Sequence, residues 1–132
     1  MNINRKIELL LVGELRARLP VGTRVEPQKA DEELEPPFCV VMCDDAAEEG
    51  VPGLWTAEVR VAWVTHFKES TAANHAEMVR RIGESLREIP AGYRTALDVN
   101  LHGLDMEGQQ ALDRPDGKAH ADVVIVKVGV SG

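Results

Sequence analysis

The chain has 132 residues, of which 44% are hydrophobic and 28% are charged, and these proportions fit one globular domain spanning residues 1–132. The composition argues against wholesale disorder, and apolar runs such as residues 9–12 are far shorter than the roughly 20 residues of a membrane-spanning helix. The formal net charge is −7, from 15 basic and 22 acidic residues. An acidic surface disfavours a protein that reads nucleic acid by neutralising its phosphates.

The N-terminus and the cysteines both predict a cytoplasmic protein. The opening segment MNINRKIELLLVGEL carries Glu8 inside its apolar stretch and has no small-residue cleavage site, so it does not resemble a signal peptide. Cys39 and Cys43 would lie about 13 Å apart in a strand, which is beyond the ~7 Å that a disulfide spans. We therefore expect two free, buried thiols and no metal held by this pair.

The first third of the chain predicts a helix, a loop and a strand. Apolar residues recur at helical spacing over residues 4–19, and Pro20 blocks continuation of the helix. A short extended piece around residues 23–25 precedes the acidic stretch QKADEELEPP (28–37), which has no repeating apolar face and indicates a solvated loop. The sequence FCVVMC (38–43) is apolar at every position and predicts a strand that is covered on both faces or lies centrally in a sheet.

The segment LWTAEVRVAWVTHF, residues 54–67, alternates strictly and predicts a long strand. One face carries both tryptophans and Phe67, which are three of the five aromatic residues in the chain. We interpret this face as core, since burying each such side chain contributes on the order of 2–3 kcal/mol. The other face, which we expect to meet solvent or a neighbouring subunit, carries Glu58, Arg60 and His66.

The rest of the chain predicts a second helix and two more strands. An apolar stripe at helical spacing follows Ser70 and ends before Pro90, and its small residues would let the helix lie close to a sheet. Strands are predicted at residues 96–104 and 121–130, joined by a long, protruding loop over residues 106–120. The order of elements predicts an α+β fold, with a mainly antiparallel sheet of about four to five strands packed against two helices.

The sequence contains no phosphate-binding glycine loop and no signature of a nucleophilic hydrolase or zinc protease, so we expect no catalytic residue, cofactor or metal. A minor alternative is a small metal-dependent enzyme or binding module. If the last two strands pair, His120 and Asp122 would converge with His102 and Asp105 into a site of imidazole and carboxylate ligands. His66 and His75 flank the turn into the second helix, and we expect surface or helix-cap roles for both.

The order of elements resembles the tail-terminator proteins of long-tailed bacteriophages over nearly the whole chain. The features that carry the resemblance are an amphipathic N-terminal helix, an acidic proline-ended segment entering an apolar strand (EPPFCVVMC), the long tryptophan strand, a helix closing on Ile89-Pro90, and the terminal strand ADVVIVKVGV. The acidic stretch 31–35 and the length of the loop 106–120 do not match this pattern. A neighbouring neck or head–tail joining protein is therefore the second interpretation.

The resemblance implies a virion structural protein of the tail–neck region, assembled in the host cytoplasm, and not an enzyme. Its subunits would form a ring, expected to be a hexamer, on the head-proximal end of the tail tube. That ring would end tube polymerisation and present a docking surface to the head connector or head-completion protein. The implied partners are other copies of the chain, the tail tube protein and the connector. DNA would pass through without sequence-specific binding, and no membrane is involved.

A ring with head-to-tail contacts needs two different patches on each subunit. The candidates are the loops 44–53 and 106–120, the polar face of the long strand, and residues 28–35 as a third loop. The residues that we expect at these interfaces are Asp44, Asp45, Glu48, Glu49, Glu58, Arg60, His66, Asp113, Arg114, Asp116 and Lys118.

Overall fold

A computed structural model describes residues 2–28, 34–90, 92, 97–112 and 119–132 of the chain. In chain order the elements are α1 (Ile3–Arg18), β1 (Val25–Pro27), β2 (Phe38–Met42), β3 (Ala47–Glu48), β4 (Leu54–His66), α2 (Ala72–Arg87), β5 (Asn100–Leu112) and β6 (Ala119–Ser131). The strands form one sheet in the order β1-β2-β4-β6-β5, and β3 also pairs with β4. The predicted α+β class is confirmed. The sheet has six strands, one more than the predicted four to five. The additional strand is β3, whose two residues are too few to leave a periodic pattern in the sequence.

Both helices begin at side-chain caps, which satisfy backbone N–H groups that the first turn leaves unpaired. The Asn2 side chain accepts a hydrogen bond from the backbone N–H of Arg5, and the Thr71 hydroxyl accepts one from the backbone N–H of Asn74. The first helix ends before Pro20, as predicted. Neither helix in the described ranges is long and apolar enough to span a membrane.

The last two strands pair as a long antiparallel ladder, so the predicted loop over residues 106–120 is wrong for residues 106–112 and 119–120. Pairing between β5 and β6 runs from Asn100 opposite Ser131 to Leu112 opposite Ala121, and residues 113–118 lie outside the described ranges. The sequence pattern missed the second half of β5 for two reasons. Residues 107–112 are all exposed, so they show no alternation, and register shifts at Leu101/Gly103 and Met106/Gly108 move the side-chain pattern out of phase.

Both helices pack on one face of the sheet, which carries the core side chains of β4 and β6. Trp63 is buried in this core and Trp55 is half-buried against it, which confirms the interpretation of the aromatic face for the tryptophans. For Phe67 the interpretation is wrong, because β4 ends at His66 and the Phe67 side chain, in the turn beyond, is 61% exposed.

The helix-free face of the sheet divides into an apolar end and a charged end. At the apolar end, Phe38, Val64 and Ala121 form a second buried cluster. At the charged end, Arg60 is exposed and Glu58 is half-buried. The expected polar face of β4 is therefore present only over the first half of that strand.

Candidate functional site

The segment between β2 and β4 carries four of the predicted interface residues, and α1 holds it in place. We call residues 43–49 the acidic segment. The carboxylate of Glu8 accepts a hydrogen bond from the backbone N–H of Cys43 at 2.8 Å, and the side-chain oxygen of Asn4 accepts one from the backbone N–H of Ala46 at 2.9 Å. These two long-range bonds fix the start of the segment to a helix of the core, so its backbone conformation is set before any partner binds.

The two glutamates of the acidic segment turn back onto β4. The carboxylate of Glu48 accepts the backbone N–H of Gly53 at 3.1 Å, and that of Glu49 accepts the hydroxyl of Thr56 at 2.7 Å. These side chains therefore stabilise the connection to β4, and they are only partly free to contact another molecule.

The two aspartates of the segment have a different environment. Asp44 and Asp45 are exposed, and neither side chain has an ion-pair partner among the described residues. Both line a shallow cavity of about 150 Å³ together with Met42, Glu58 and Arg60. Arg60 Nε lies 3.5 Å from the Glu58 carboxylate. The fold thus brings four predicted interface residues into one negatively charged surface.

Glu8 is a residue whose role the sequence pattern did not identify. Its side chain is buried against the acidic segment, and burial raises its pKa, although the Cys43 N–H and Arg5 act in the opposite direction. A signal was present, since Glu8 stands three residues before the buried Leu11 and four before the buried Val12, and so lies on the apolar stripe of α1. A charged residue at a core position of a helix indicates a specific hydrogen-bonding partner.

The remaining predicted interface residues are not brought to this surface. His66 is half-buried at the far end of β4, roughly the whole length of the strand away from the acidic segment. Four others lie outside the described ranges, namely Asp113, Arg114, Asp116 and Lys118.

The two thiols are free and buried, as expected. Burial raises the pKa of both Cys39 and Cys43 to about 12, so neither is present as a thiolate near neutral pH.

The four residues of the alternative metal site do not converge. The antiparallel hairpin places His102 at one end, 2.6 Å from the hydroxyl of Ser131, and His120 and Asp122 at the other. Within the described ranges, no group of three or more His, Cys, Asp or Glu residues is arranged to hold a metal ion.

His120 and Asp122 instead lie beside His75, whose expected surface or cap role is wrong. His75 is 5% exposed, its Nδ1 lies 2.8 Å from the Thr65 hydroxyl, and its Nε2 lies 3.9 Å from the Asp122 carboxylate with no hydrogen-bond partner. The His120 ring stacks obliquely at 5.3 Å. Burial lowers the pKa of His75 and outweighs the opposing effect of Asp122, so the imidazole is neutral.

We expect the protein to lose stability as the pH falls below about 6.5, the ordinary pKa of histidine. The folded state binds a proton on His75 less readily than the unfolded state does. The neutral His75 side chain therefore contributes fully to stability above that pH, and this contribution is lost on acidification toward the lowered pKa. The substitution His75→Gln should flatten this part of the profile, measured by urea unfolding between pH 5 and 8. The matched change His102→Gln should leave it intact, and an unchanged profile in His75→Gln would rule out this histidine as the cause.

A second surface lies at the opposite edge of the sheet, between α2 and β5. There the two elements leave a cleft of about 410 Å³, which we call the α2–β5 cleft. Small residues keep it open, among them Ala76 and Gly83 on the helix and Gly108 on the strand, and Met106 forms part of its floor. A Cβ atom at Gly83 would come within 3.7 Å of the Met106 methyl group, so larger side chains here would fill the cleft.

The arginines of α2 differ in their surroundings. Arg80 lies between Glu77 and Glu84 and forms ion pairs with both. Together with Arg81 it holds the pKa of Glu77 at about 2. Arg87, which lines the cleft, is exposed and has no ionic or hydrogen-bonded partner in the part of the chain that is described. It is therefore available to an acidic group from outside.

Comparison with known proteins adds one observation. A chain in the solved structure "Virion of native gene transfer agent (GTA) particle" superimposes on this chain with a TM-score of 0.69, covering 92% of both chains at 15% identity. The two share a fold. At this level of identity the similarity establishes the architecture alone. No protein-family model matches the chain, and no curated protein sequence matches it.

Proposed function

We propose that this protein is a virion structural protein whose subunits form a ring, expected to be a hexamer, on the head-proximal end of a phage tail tube. The ring ends tube polymerisation and presents the docking surface for the head connector. The observation that supports this most is the fold shared with a chain of a gene transfer agent virion, because the match extends over 92% of each chain and leaves little room for an unrelated domain.

The placement of the two surfaces also supports a ring. The acidic segment borders the β3 side of the sheet, and the α2–β5 cleft borders the β5 edge on the other side. A closed ring with head-to-tail contacts requires two different surfaces on each subunit. Surfaces on opposite sides of one sheet meet this requirement, whereas a two-fold dimer would use the same surface twice.

The charge of the chain fits passage of DNA through such a ring. A formal charge of −7 on each chain gives six subunits a total of about −42. Duplex DNA should therefore pass without adhering to the wall. The same charge opposes subunit association at low ionic strength, so assembly should depend on salt.

The shared fold equally supports a second candidate, another neck or tail-completion protein. The similarity is to a chain of a virion structure, and it does not distinguish one virion component from another. The two candidates differ in their neighbour. A tail terminator binds the end of the tube, and the other joining proteins bind next to the portal.

Sedimentation of the purified protein tests the proposal. We expect a shift from monomers to one discrete large species as protein and salt concentrations rise, and we expect tubes polymerised with the protein to be shorter and capped at one end. Bovine serum albumin at equal concentration serves as the control for crowding of the tube reaction. Monomers under every condition, with no binding to tube ends, would overturn the proposal. Binding to connector rings but not to tubes would favour the second candidate.

A further inference from the structure

We propose that each subunit of the ring inserts its acidic segment, residues 43–49, against the β5 edge and the α2–β5 cleft of the next copy of this chain. The inference rests on the proposed function, which requires a contact between two different surfaces, and it names both of them. Four observations lead to it: the open edge of β5, the blocked edge of β1, the strand directions and the unpaired charges.

The β5 edge is long and open. The strand has 13 residues, and no other described strand pairs with its outer side. Residues 107–112 are all exposed, and residues 109–112, the sequence QQAL, carry no charge or proline that would discourage pairing. Leu112 is 41% exposed. An unprotected edge of this kind is a template for a strand from another chain, and the adjacent cleft can receive the side chains of that strand.

Among the described residues, the opposite edge of the sheet is blocked along β1 and open at β3. Arg16 Nε donates a hydrogen bond to the carbonyl oxygen of Val25 at 2.9 Å, and Pro27 has no N–H to offer. The two residues of β3, Ala47 and Glu48, are both exposed. They belong to the acidic segment, so this segment is the part of that side that can extend the sheet of a neighbour.

The strand directions are compatible with this contact. Three antiparallel pairings separate β3 from β5, so the two strands run in opposite directions within one subunit. In a ring whose axis runs parallel to the strands, the rotation from one subunit to the next leaves the direction of every strand unchanged. The β3 strand of one copy therefore meets β5 of the next in antiparallel orientation, which permits a two-residue extension of the ladder.

The acidic segment and the α2–β5 cleft carry opposite unpaired charges. The acidic segment presents Asp44 and Asp45, neither of which has an ionic partner among the described residues, and the cleft presents the equally unpaired Arg87. Glu107 also lines the cleft and opposes an acidic guest, while Arg80 is already neutralised by carboxylates of its own helix. The contact thus depends on Arg87, and reversal of that charge should be as damaging as reversal of the two aspartates.

Two variants with one damaged surface each test the contact. Asp44→Lys/Asp45→Lys reverses the acidic segment, and Ala76→Glu/Arg87→Glu makes the cleft acidic at two exposed helix positions. Each variant alone should associate on the order of 100-fold more weakly than the wild type, because like charges then face each other or lose their partner. An equimolar mixture should form rings in which the two variants alternate, since the intact segment meets the intact cleft at one contact and the two charge-reversed surfaces meet at the next. The quadruple variant should recover rings.

A matched control for the segment variant is Glu69→Lys/Glu88→Lys, which changes the net charge by the same amount as Asp44→Lys/Asp45→Lys at exposed positions outside the contact. Far-UV circular dichroism confirms that every variant is folded. If wild-type rings form and the Asp44/Asp45 variant assembles equally well, this contact is wrong although the ring proposal stands. If the mixture assembles but wild-type chains never cap tubes, the contact stands and the proposed function fails. Wild-type chains that never self-associate would overturn both.

Discussion

Replacing Trp63 by alanine is expected to lower the free energy of unfolding by about 3–5 kcal/mol, the range found for large aromatic side chains in protein cores. Trp63 is 6% exposed and lies in the middle of the sheet, opposite Cys39 of β2 and Asp122 of β6. Its removal leaves a cavity under the helices that the paired strands on both sides cannot close. Urea unfolding followed by far-UV circular dichroism measures the change.

The indole N–H of Trp63 leads to a second prediction, for the substitution by phenylalanine. It is buried and has no hydrogen-bond partner, so the residue contributes through packing and not through a polar contact. The substitution Trp63→Phe should therefore cost less than half of the alanine change, since it keeps an aromatic ring and removes an unpaired donor. Phe67→Ala is the control, with an expected loss within about 0.5 kcal/mol because this side chain is 61% exposed. A larger loss at Phe67 than at Trp63 would contradict the assignment of the core.

Replacing Glu8 by alanine is expected to cost about 1–3 kcal/mol, because the backbone N–H of Cys43 would lose its acceptor in a buried position. The same change frees the start of the acidic segment, so self-association should weaken as well. Glu8→Gln retains an acceptor oxygen and should cost less. Glu14→Ala is the matched control on the same helix. Its carboxylate pairs with Arg18 within the helix and makes no hydrogen bond to another described element, so a smaller loss is expected.

The pH dependence separates the charge of Glu8 from its hydrogen bond. Burial raises the pKa of Glu8 in the folded state above its ordinary value of 4.5, so the unfolded state releases this proton more readily. The wild type should therefore lose stability from this group as the pH rises above about 4.5. Glu8→Gln cannot titrate, and its stability relative to the wild type should improve over the same range. A constant difference between pH 4 and 7 would contradict this account of Glu8.

The elements with strict periodicity were predictable from the sequence. The apolar stripes of α1 and α2 and the alternation of β4 each place apolar residues at a spacing that one structure satisfies. They gave the fold class, because two amphipathic helices and a long half-buried strand pack in few ways. The core position of Trp63 followed from the same alternation.

The second half of β5 and the exposure of Phe67 were not predictable, since each depends on where another element ends. Residues 107–112 belong to a strand only because β6 runs beside them, and Phe67 leaves the core because β4 turns after His66. Periodicity records burial, and an exposed edge strand has little of it. The local sequence therefore resembled a loop.

For the candidate site, the sequence supplied charged residues but not their contacts. Asp44, Asp45, Glu58 and Arg60 were expected at an interface, and the fold brings them to one surface. That Glu8 and Asn4 of α1 would hold this surface depends on packing between residues about 35 to 42 positions apart, which no local pattern encodes. The α2–β5 cleft was missed for the same reason, because it exists only where the helix crosses the edge strand.

Electron microscopy of the purified protein, alone and mixed with tail tubes, tests the central proposal most directly. Particles should be sampled over a series of protein and salt concentrations, because the charge of −7 on each chain opposes assembly at low ionic strength. The account predicts rings of one size, with a central hole wide enough for duplex DNA, and the same rings on one end of each tube. Small particles without a hole under every condition, together with bare tube ends, would contradict it.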